Sequence, residues 1–438
     1  MNAEKFLELA LIAFKEKKVD KALWLLVQAL KCNPLFSEAW LWRGHILSSM
    51  DDWFNALLHY EKAIDIEPNY PVGWTGAGFA FAQIAAWESA EKYFKKSLEL
   101  MPAVEPNINL GNMCCHRMKL EEAVNYFKEV LKLDPNHHDA KVGLGLTLLG
   151  LGKWLEGWPY YYYRHDNKPF QPRARRWIQE WPGEDLSNKT IVLYPEQGLG
   201  DEIAFMRFAK VLANLNPTAK VILETRPSLV RTARTLASNV KVIADFDDFP
   251  EGIDYSCALM DVPKYLGVGF EDVDSKPYLH QPLGTTKHKD FRIGLCWSSG
   301  QRLLQPETFG VAQRKSIPLE WLKPLTQFGA TLISLQREHL DYKVAKEMNI
   351  DSHHIDQIKD FADTADIIKD LDLVITVDTA VAHLAGAMGK PTWNFVRYSG
   401  YWPWMSETDK TCWYDCMKIY RQPQLENWDE PINRATKD

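Results

Sequence analysis

Residues 371–386 read LDLVITVDTAVAHLAG, and this stretch decides the fold class of the second half of the chain. The run at 373–377, apolar except for Thr376, is typical of a strand buried on both faces of a parallel sheet. It passes through Asp378 and Thr379, residue types that commonly begin helices, into an alanine-rich stretch. The stretch therefore predicts a strand, a tight turn and a helix, the unit from which doubly wound α/β domains are built.

Six more short apolar runs alternate with helical patterns and predict parallel sheets. With 373–377, the predicted strands are 190–194, 220–224, 240–244, 292–297, 331–335 and 392–396. Residues 281–290 contain proline, glycine and charged residues and read as a linker. We expect an N-terminal lobe at 187–282, a C-terminal lobe at 288–438, and a ligand-binding cleft between them.

The first 160 residues repeat with a period of 33 or 34. Four kinds of residue keep this period: prolines, alanines, glycines and aromatic residues. They are Pro34, Pro68, Pro102 and Pro135; Ala22, Ala56, Ala90 and Ala123; Gly44, Gly78, Gly111 and Gly145; and Tyr60, Phe94 and Phe127. Small residues let two helices approach, an aromatic ring fills the gap, and proline ends the second helix, so each period predicts a helical hairpin.

Composition and charge narrow the classes of function. A chain of 438 residues with a net charge of −7 provides no overall positive field for nucleic acid, so a nucleic-acid partner is disfavoured. Seven cysteines without paired spacing favour a reducing compartment, and no apolar run is long enough for a membrane span, so we expect a cytoplasmic protein. The basic run from Arg164 to Arg176 reads as a solvated linker within residues 164–186.

Residues 191–201, IVLYPEQGLGD, predict a strand that enters a glycine turn and opens a helix. Gly198 and Gly200 let the backbone approach a ligand, and the new helix N-terminus favours an anion. Asp201 is either a functional carboxylate or a helix cap. The third glycine of a dinucleotide fingerprint is absent because Ile203 stands there, which disfavours a nicotinamide enzyme.

In the C-terminal lobe, Asp378 and Thr379 open the predicted helix, and its free amides suit a diphosphate. His383 follows Thr379 by four residues and shares its helical face, although a lone helical histidine is often only a core residue. Lys315 stands ahead of another helix, where it can reach phosphate. Gln336 follows a predicted strand, at the sheet edge where ligands bind.

These sequence patterns resemble those of two known protein families. Residues 3–163 resemble the tetratricopeptide repeat, with Trp40 and Trp74 at its early aromatic position, although Asn107 and Lys141 replace that tryptophan later. Residues 154–432 resemble glycosyltransferase family 9, the heptosyltransferase group. This second resemblance is carried by EQGLGD at 196–201, RKSIP at 314–318, SLQ at 334–336, DFADTA at 360–365, the stretch at 371–386 and YRQ at 420–422.

The second resemblance implies a GT-B fold of two Rossmann-like lobes and an inverting transfer without a metal or other cofactor. It also implies that Asp201 is the base, and that Asp378, Thr379, His383 and Lys315 hold the donor diphosphate. An aspartate-tryptophan-arginine-tryptophan tetrad of the family is replaced here by 401–404, YWPW, which puts contacts near that loop in doubt. Asp-x-Asp spacings at 245–247, 272–274 and 370–372 suggest a metal-dependent alternative, but they lie away from the strand-to-helix turns.

We therefore expect repeats at residues 1–163 followed by a glycosyltransferase that uses a nucleotide diphosphate-sugar. Its acceptor would be a hydroxyl group of a protein or glycan, and the groove of the repeats would bind the acceptor or a protein partner. The alternative is a non-catalytic adaptor whose α/β half is degenerate or only senses nucleotide. The altered loop at 401–404 favours that alternative.

Overall fold

The structure is a computed structural model that describes residues 1–166, 178–244, 251–279, 288–300, 314–326, 329–338, 341–400, 402–404 and 408–438. The chain divides into two compact units, Met1–Thr147 and Leu148–Asp438. The predicted linker at 164–186 lies partly, and the one at 281–290 mostly, outside the described residues.

The first unit consists of antiparallel helical hairpins. Its helices are α1 Ala3–Lys15, α2 Val19–Cys32, α3 Ser37–Ser48, α4 Trp53–Ile66, α5 Pro71–Gln83, α6 Trp87–Leu100, α7 Val104–His116, α8 Leu120–Leu133 and the start of α9 His138–Gly150. The second helix of each of the first four hairpins ends two residues before a periodic proline, as at Cys32 and Pro34. The predicted helical repeats are confirmed.

Glycines and aromatic rings make the tightest contacts within the hairpins. A β-carbon on Gly44 would lie 2.6 Å from the Tyr60 ring, and one on Gly78 would lie 2.8 Å from the Phe94 ring. Both rings are fully buried. The glycine and aromatic columns of the sequence therefore describe one packing device, because each ring occupies the space that a side chain on the glycine would need.

The tryptophan and proline columns are linked as well. The indole of Trp40 donates to the carbonyl of Pro34 at 2.9 Å, and Trp74 donates to Pro68 at 2.8 Å. Where the tryptophan is replaced, the Asn107 amide donates to a different carbonyl four residues earlier. The tryptophan bond fixes the first turns of α3 and α5 to the end of the preceding hairpin.

A backbone feature also follows the repeat. The residue in the turn between the two helices of each hairpin has a positive φ, whatever its type. These residues are Lys17 (59°), Asp51 (61°), Ala85 (58°), Met118 (57°) and Gly152 (75°). Side chains with a β-carbon are strained in this left-handed conformation, so the surrounding helices impose it on the first four turns.

The second unit opens with α10 Trp154–Tyr161 and a 3-10 helix Tyr162–Asp166. Trp154 and Trp158 are buried and pack edge-to-face on Trp402, which belongs to a 3-10 helix at Trp402–Trp404. Residues 148–163, which the repeat pattern includes, therefore pack with the α/β unit. Arg164 is buried as well, so the reading of this residue as part of a solvated linker is wrong.

The N-terminal lobe is a four-stranded parallel sheet in the order β3-β2-β1-β4. Its strands are β1 Thr190–Tyr194, β2 Lys220–Thr225, β3 Val240–Ala244 and β4 Tyr255–Ala258, and its helices are α11 Leu199–Phe205, α12 Arg207–Leu215, α13 Val230–Ala233 and α14 Val262–Leu266. The central strand β1 pairs Ile191 with both Val221 and Tyr255.

The C-terminal lobe is a six-stranded parallel sheet in the order β10-β9-β8-β5-β6-β7. Its strands are β5 Arg292–Cys296, β6 Thr331–Ser334, β7 Ile350–Asp351, β8 Leu373–Val377, β9 Thr392–Val396 and β10 Met417–Arg421, and its helices are α15 Tyr342–Glu347, α16 Phe361–Ile368, α17 Ala380–Ala387 and α18 Asp429–Ala435. All seven predicted strands are confirmed within a residue of each end. β4, β7 and β10 were not predicted.

Candidate functional site

The turn after β1 and the turn after β8 meet at one cavity of about 450 Å³. A β-carbon on Gly200, in α11, would lie 2.8 Å from Cδ2 of His383 and 3.5 Å from the Cα of Ala380, both in α17. The two lobes are therefore in direct contact here. All eight residues selected from the sequence line the cavity: Gly198, Gly200, Asp201, Lys315, Gln336, Asp378, Thr379 and His383.

The glycine turn is held from behind by the segment that precedes β1. Arg164 forms a two-pronged ion pair with Glu196, both side chains being buried. The side-chain amide Nε2 of Gln197, a residue with φ of 57°, donates to the hydroxyl of Tyr161, and the Arg226 guanidinium donates to the backbone carbonyl of Gln197. These bonds fix the backbone just before Gly198 and the start of α11.

Asp201 serves this turn too. Its Oδ2 accepts a hydrogen bond of 2.8 Å from the amide of Gly198, so the capping interpretation describes part of what the side chain does. The residue nevertheless lines the cavity. A carboxylate held in one orientation at the wall of a cavity is suited to accept a proton from a hydroxyl group placed beside it.

Asp378 is a buried anion with two partners. Its Oδ2 lies 2.6 Å from Nζ of Lys315, and its Oδ1 accepts from the indole of Trp404 at 2.8 Å. Burial by itself would raise the pKa of this carboxyl, but the charge of Lys315 and these hydrogen bonds bring the pKa below its usual range. Asp378 therefore stays charged and holds both Lys315 and the 402–404 turn at the cavity.

His383 is buried, and aromatic side chains hold its ring. Its Nδ1 lies 3.0 Å from the hydroxyl of Tyr414, and its ring stacks on Trp404 with centroids 4.6 Å apart. Burial lowers the pKa of His383 to about 4, against the partial opposition of Asp378. The imidazole is therefore neutral near pH 7 and offers hydrogen bonding rather than positive charge to the cavity.

Thr379 and Gln336 complete the selected set. The Thr379 hydroxyl lies 3.2 Å from that of Thr376, at the first turn of α17. The Gln336 side chain accepts from the amide of Ser298 at 2.9 Å and donates to the carbonyl of Glu338 at 2.8 Å. Gln336 therefore shapes the cavity wall by fixing the loops that follow β5 and β6.

Sequence reasoning missed Tyr414 and the use of Trp404, because both come from the segment between β9 and β10. Neither has a local pattern that points to α17. For Trp404, the one available signal was its place in the altered tetrad. Tyr401, in the same tetrad, lies outside the described residues.

The described carboxylates of the Asp-x-Asp spacings, which suggested a metal site, do not line the cavity. Asp272 and Asp372 accept hydrogen bonds from backbone amides, and 245–247 falls outside the described ranges. His165, Glu196 and Asp261 have ligand atoms within 4.8 Å of one another. Arg164 already pairs with both carboxylates, so this cluster is explained by charge compensation.

Comparison with known families agrees with this architecture. The sequence model of glycosyltransferase family 9 (heptosyltransferase) matches residues 345–396, which include β8 and α17. The tetratricopeptide repeat model matches residues 37–70 and 118–137. The chain thus combines helical repeats of tetratricopeptide type with a two-lobed parallel α/β unit, and one segment of that unit matches the model of glycosyltransferase family 9.

Among individual proteins, the chain is 26% identical over 332 residues to Protein FlbA of Caulobacter vibrioides, an alignment that covers 66% of this chain and 52% of FlbA. The chain therefore spans about half of FlbA's length. Solved structures that resemble it include PilW, a type IV pilus biogenesis factor (19% identity, TM-score 0.36, 48% of this chain and 86% of PilW), and MamA of Desulfovibrio magneticus (15% identity, TM-score 0.35, 39% and 96%).

The described helices fall short, by their own length and composition, of what a bilayer demands, and none of the described part of the chain qualifies as a membrane span. No helix there combines the length and the apolar character that crossing a bilayer requires.

Proposed function

We propose that this protein is an inverting, metal-independent glycosyltransferase that moves a sugar from a nucleotide diphosphate-sugar to an acceptor hydroxyl. One observation carries the proposal: two strand-to-helix turns from different lobes, one with a carboxylate and one with a histidine, line the same cavity. Parallel α/β sheets bind ligands at this edge. The glycosyltransferase family 9 segment includes the second of the two turns.

In this proposal the diphosphate lies at the start of α17. The first amides of a helix lack partners within the helix and favour an anion. Asp378 would repel phosphate, so its role is to hold Lys315 and Trp404 in place. Lys315, the amides and the neutral ring of His383 then stabilise the negative charge that develops on the leaving group.

The proposed transfer is a single displacement. The oxygen of the acceptor hydroxyl attacks the anomeric carbon from the side opposite the diphosphate, and its proton passes to Asp201. The bond between the anomeric carbon and the phosphate oxygen breaks, and its electron pair leaves with the nucleoside diphosphate. Attack from the opposite face inverts the configuration of the sugar.

Acceptor choice belongs to the repeats in this proposal. Tetratricopeptide repeats present an extended surface that suits a peptide or another protein. We propose that they recruit the acceptor, a protein or a glycan, or a protein that delivers it.

A donor screen tests the proposal. Thermal shifts of the full chain with a panel of nucleotide diphosphate-sugars should reveal a stabilising donor, since ligand at 100 times its Kd adds about 2.7 kcal/mol. His383→Ala should lose that shift. Asp201→Asn should keep it and lose transfer by about 100-fold or more. Transfer by Asp201→Asn at the wild-type rate would exclude Asp201 as the base.

The adaptor alternative has specific support. Asp201 is engaged by the amide of Gly198, and Lys315 is neutralised by Asp378, as in a site that binds without reacting. A donor that binds but is neither transferred nor hydrolysed, with any acceptor fraction tested, would favour the adaptor.

A further inference from the structure

The two ring nitrogens of His383 lie in different surroundings. Nδ1 lies 3.0 Å from Oη of Tyr414. The opposite edge of the ring faces Gly200, since a β-carbon on that glycine would lie 2.8 Å from Cδ2 and 3.5 Å from Nε2. Gly200 and His383 both line the cavity, so Nε2 is the nitrogen available to a ligand.

Tyr414 is as firmly placed as His383. The Tyr414 ring packs against Gly386, which lies one helical turn after His383. A β-carbon on Gly386 would lie 2.7 Å from Cδ1 of the Tyr414 ring. Tyr414 is fully buried. Trp404 stacks on the other side of the imidazole, so neither ring can rotate without moving α17 or the segment after β9.

The hydroxyl proton of Tyr414 has two acceptors within reach, Nδ1 of His383 at 3.0 Å and the hydroxyl oxygen of Tyr278, with which Tyr414 also hydrogen-bonds. Burial raises the pKa of Tyr414 well above its ordinary value, so the proton stays on the oxygen. The neighbouring hydroxyl of Tyr278 donates its own proton to Ile203 at 2.6 Å. The Arg207 guanidinium lies 4.3 Å and 5.0 Å from the centroids of the Tyr278 and Tyr414 rings and also hydrogen-bonds to both hydroxyl groups. Its positive charge disfavours a Tyr414 proton directed toward it and toward Tyr278, and favours one directed toward His383.

These contacts favour one tautomer of His383 over the other. If Nδ1 carried a proton, the Tyr414 oxygen would accept it, and the Tyr414 proton would have to turn toward Tyr278 and the positive charge of Arg207. If Nδ1 is unprotonated, it accepts from Tyr414, and the ring hydrogen is on Nε2. A hydrogen there meets the cavity, where an anion can accept it.

We propose that Tyr414 is a positioning residue that fixes His383 in the Nε2–H tautomer, so that the neutral ring donates a hydrogen bond to a phosphate oxygen of the nucleotide. The opposite tautomer would present a lone pair to the phosphate and repel it. The identity of the ligand rests on the proposed function, whereas the tautomer follows from the protein alone.

Nitrogen NMR of the ligand-free protein tests the tautomer. With histidine ¹⁵N-labelled in the full chain and the signal assigned by its absence in His383→Gln, we expect a protonated Nε2 and an unprotonated Nδ1 at pH 7. A protonated Nδ1 overturns the proposal. This result does not depend on any nucleotide.

Binding of UDP, ADP, GDP and CDP tests the role of the hydroxyl. Tyr414→Phe keeps the ring on Gly386, and we expect a Kd about tenfold weaker together with a displaced Nδ1 signal. The matched control is Tyr420→Phe, which removes a hydroxyl that bonds Asp438 at 2.9 Å, and it should leave both unchanged.

The outcomes are separable. Wild-type affinity in Tyr414→Phe overturns the positioning role. If Tyr414→Phe fails to fold, the wild-type NMR measurement still decides the tautomer. If no nucleotide binds wild type, the proposed function fails, while the tautomer is judged by NMR alone.

Discussion

Replacing Gly200 by alanine should force the two lobes apart at the cavity. The new β-carbon would lie 2.8 Å from Cδ2 of His383, roughly 0.6 Å inside the 3.4 Å at which ordinary contact begins. The imidazole cannot yield, since Trp404 stacks on it and Tyr414 bonds to it. The backbone near Ala380 lies 3.5 Å away and leaves little room on the other side.

The magnitude follows from two opposed effects. Inserting a methyl group into a packed contact costs about 1–3 kcal/mol. Alanine in place of glycine in a helix returns up to about 1 kcal/mol. We expect Gly200→Ala to destabilise the α/β unit by about 1–2 kcal/mol and, because the cavity wall moves, to weaken nucleotide binding at least tenfold.

Gly300→Ala is the matched control. Gly300 lines the same cavity, but among the described residues a β-carbon there would meet only Glu338 Oε2, at 3.7 Å, an ordinary contact. Calorimetric unfolding and titration with the stabilising nucleotide should separate the two variants. Equal stability and equal affinity in Gly200→Ala and wild type would refute the close contact between α11 and α17.

Three further predictions concern stability. Lys315→Met should destabilise the protein by about 2–4 kcal/mol in denaturant unfolding because it leaves Asp378 buried without its cation, and Asp378→Asn in the same chain should recover most of this. Because burial lowers the pKa of His383 to about 4 from an ordinary 6.5, the stability it contributes should be complete above pH 6.5 and lost as pH falls toward 4. His383→Gln should flatten that part of the profile, and an unchanged slope would contradict the neutral ring. Met118→Gly should stabilise the repeats by about 0.5–1 kcal/mol, because glycine adopts the positive φ of 57° at this position without strain. The control Lys128→Gly, inside α8, should lower the stability by about 1 kcal/mol. A loss of stability in both variants would show that the backbone at Met118 is not strained.

The predictable parts of the fold are those in which a local sequence pattern directly reflects how that segment packs in the folded chain. Strand β8 is an apolar run because both faces of its sheet are covered. The Tyr60 ring and the Gly44 gap that it fills recur with the repeat. β10, MKIYR, carries two basic residues, and β4, YSCA, has no β-branched residue, so neither shows the usual signal although the sheet buries most of both.

The positions of the candidate site residues along the chain were predictable, but their partners were not. Strand-to-helix turns at the carboxyl edge of a parallel sheet are recognisable from the sequence, which is how Asp201 and His383 were selected. Tyr414 lies 31 residues beyond the histidine it touches. Arg164 reaches across 32 residues to Glu196. Such contacts depend on the tertiary arrangement that brings distant segments together. A single sequence contains no period or spacing that encodes these long-range contacts.

The packing of Trp154 and Trp158 among aromatic residues of the α/β unit has a practical meaning for chimaeras. A boundary drawn where the repeat pattern fades, near residue 163, would cut through the core and remove the helix that carries Tyr161 behind the glycine turn. A different array of repeats should instead be grafted upstream of Leu148. Such a graft keeps the α/β unit together with α10, the helix that packs into its core.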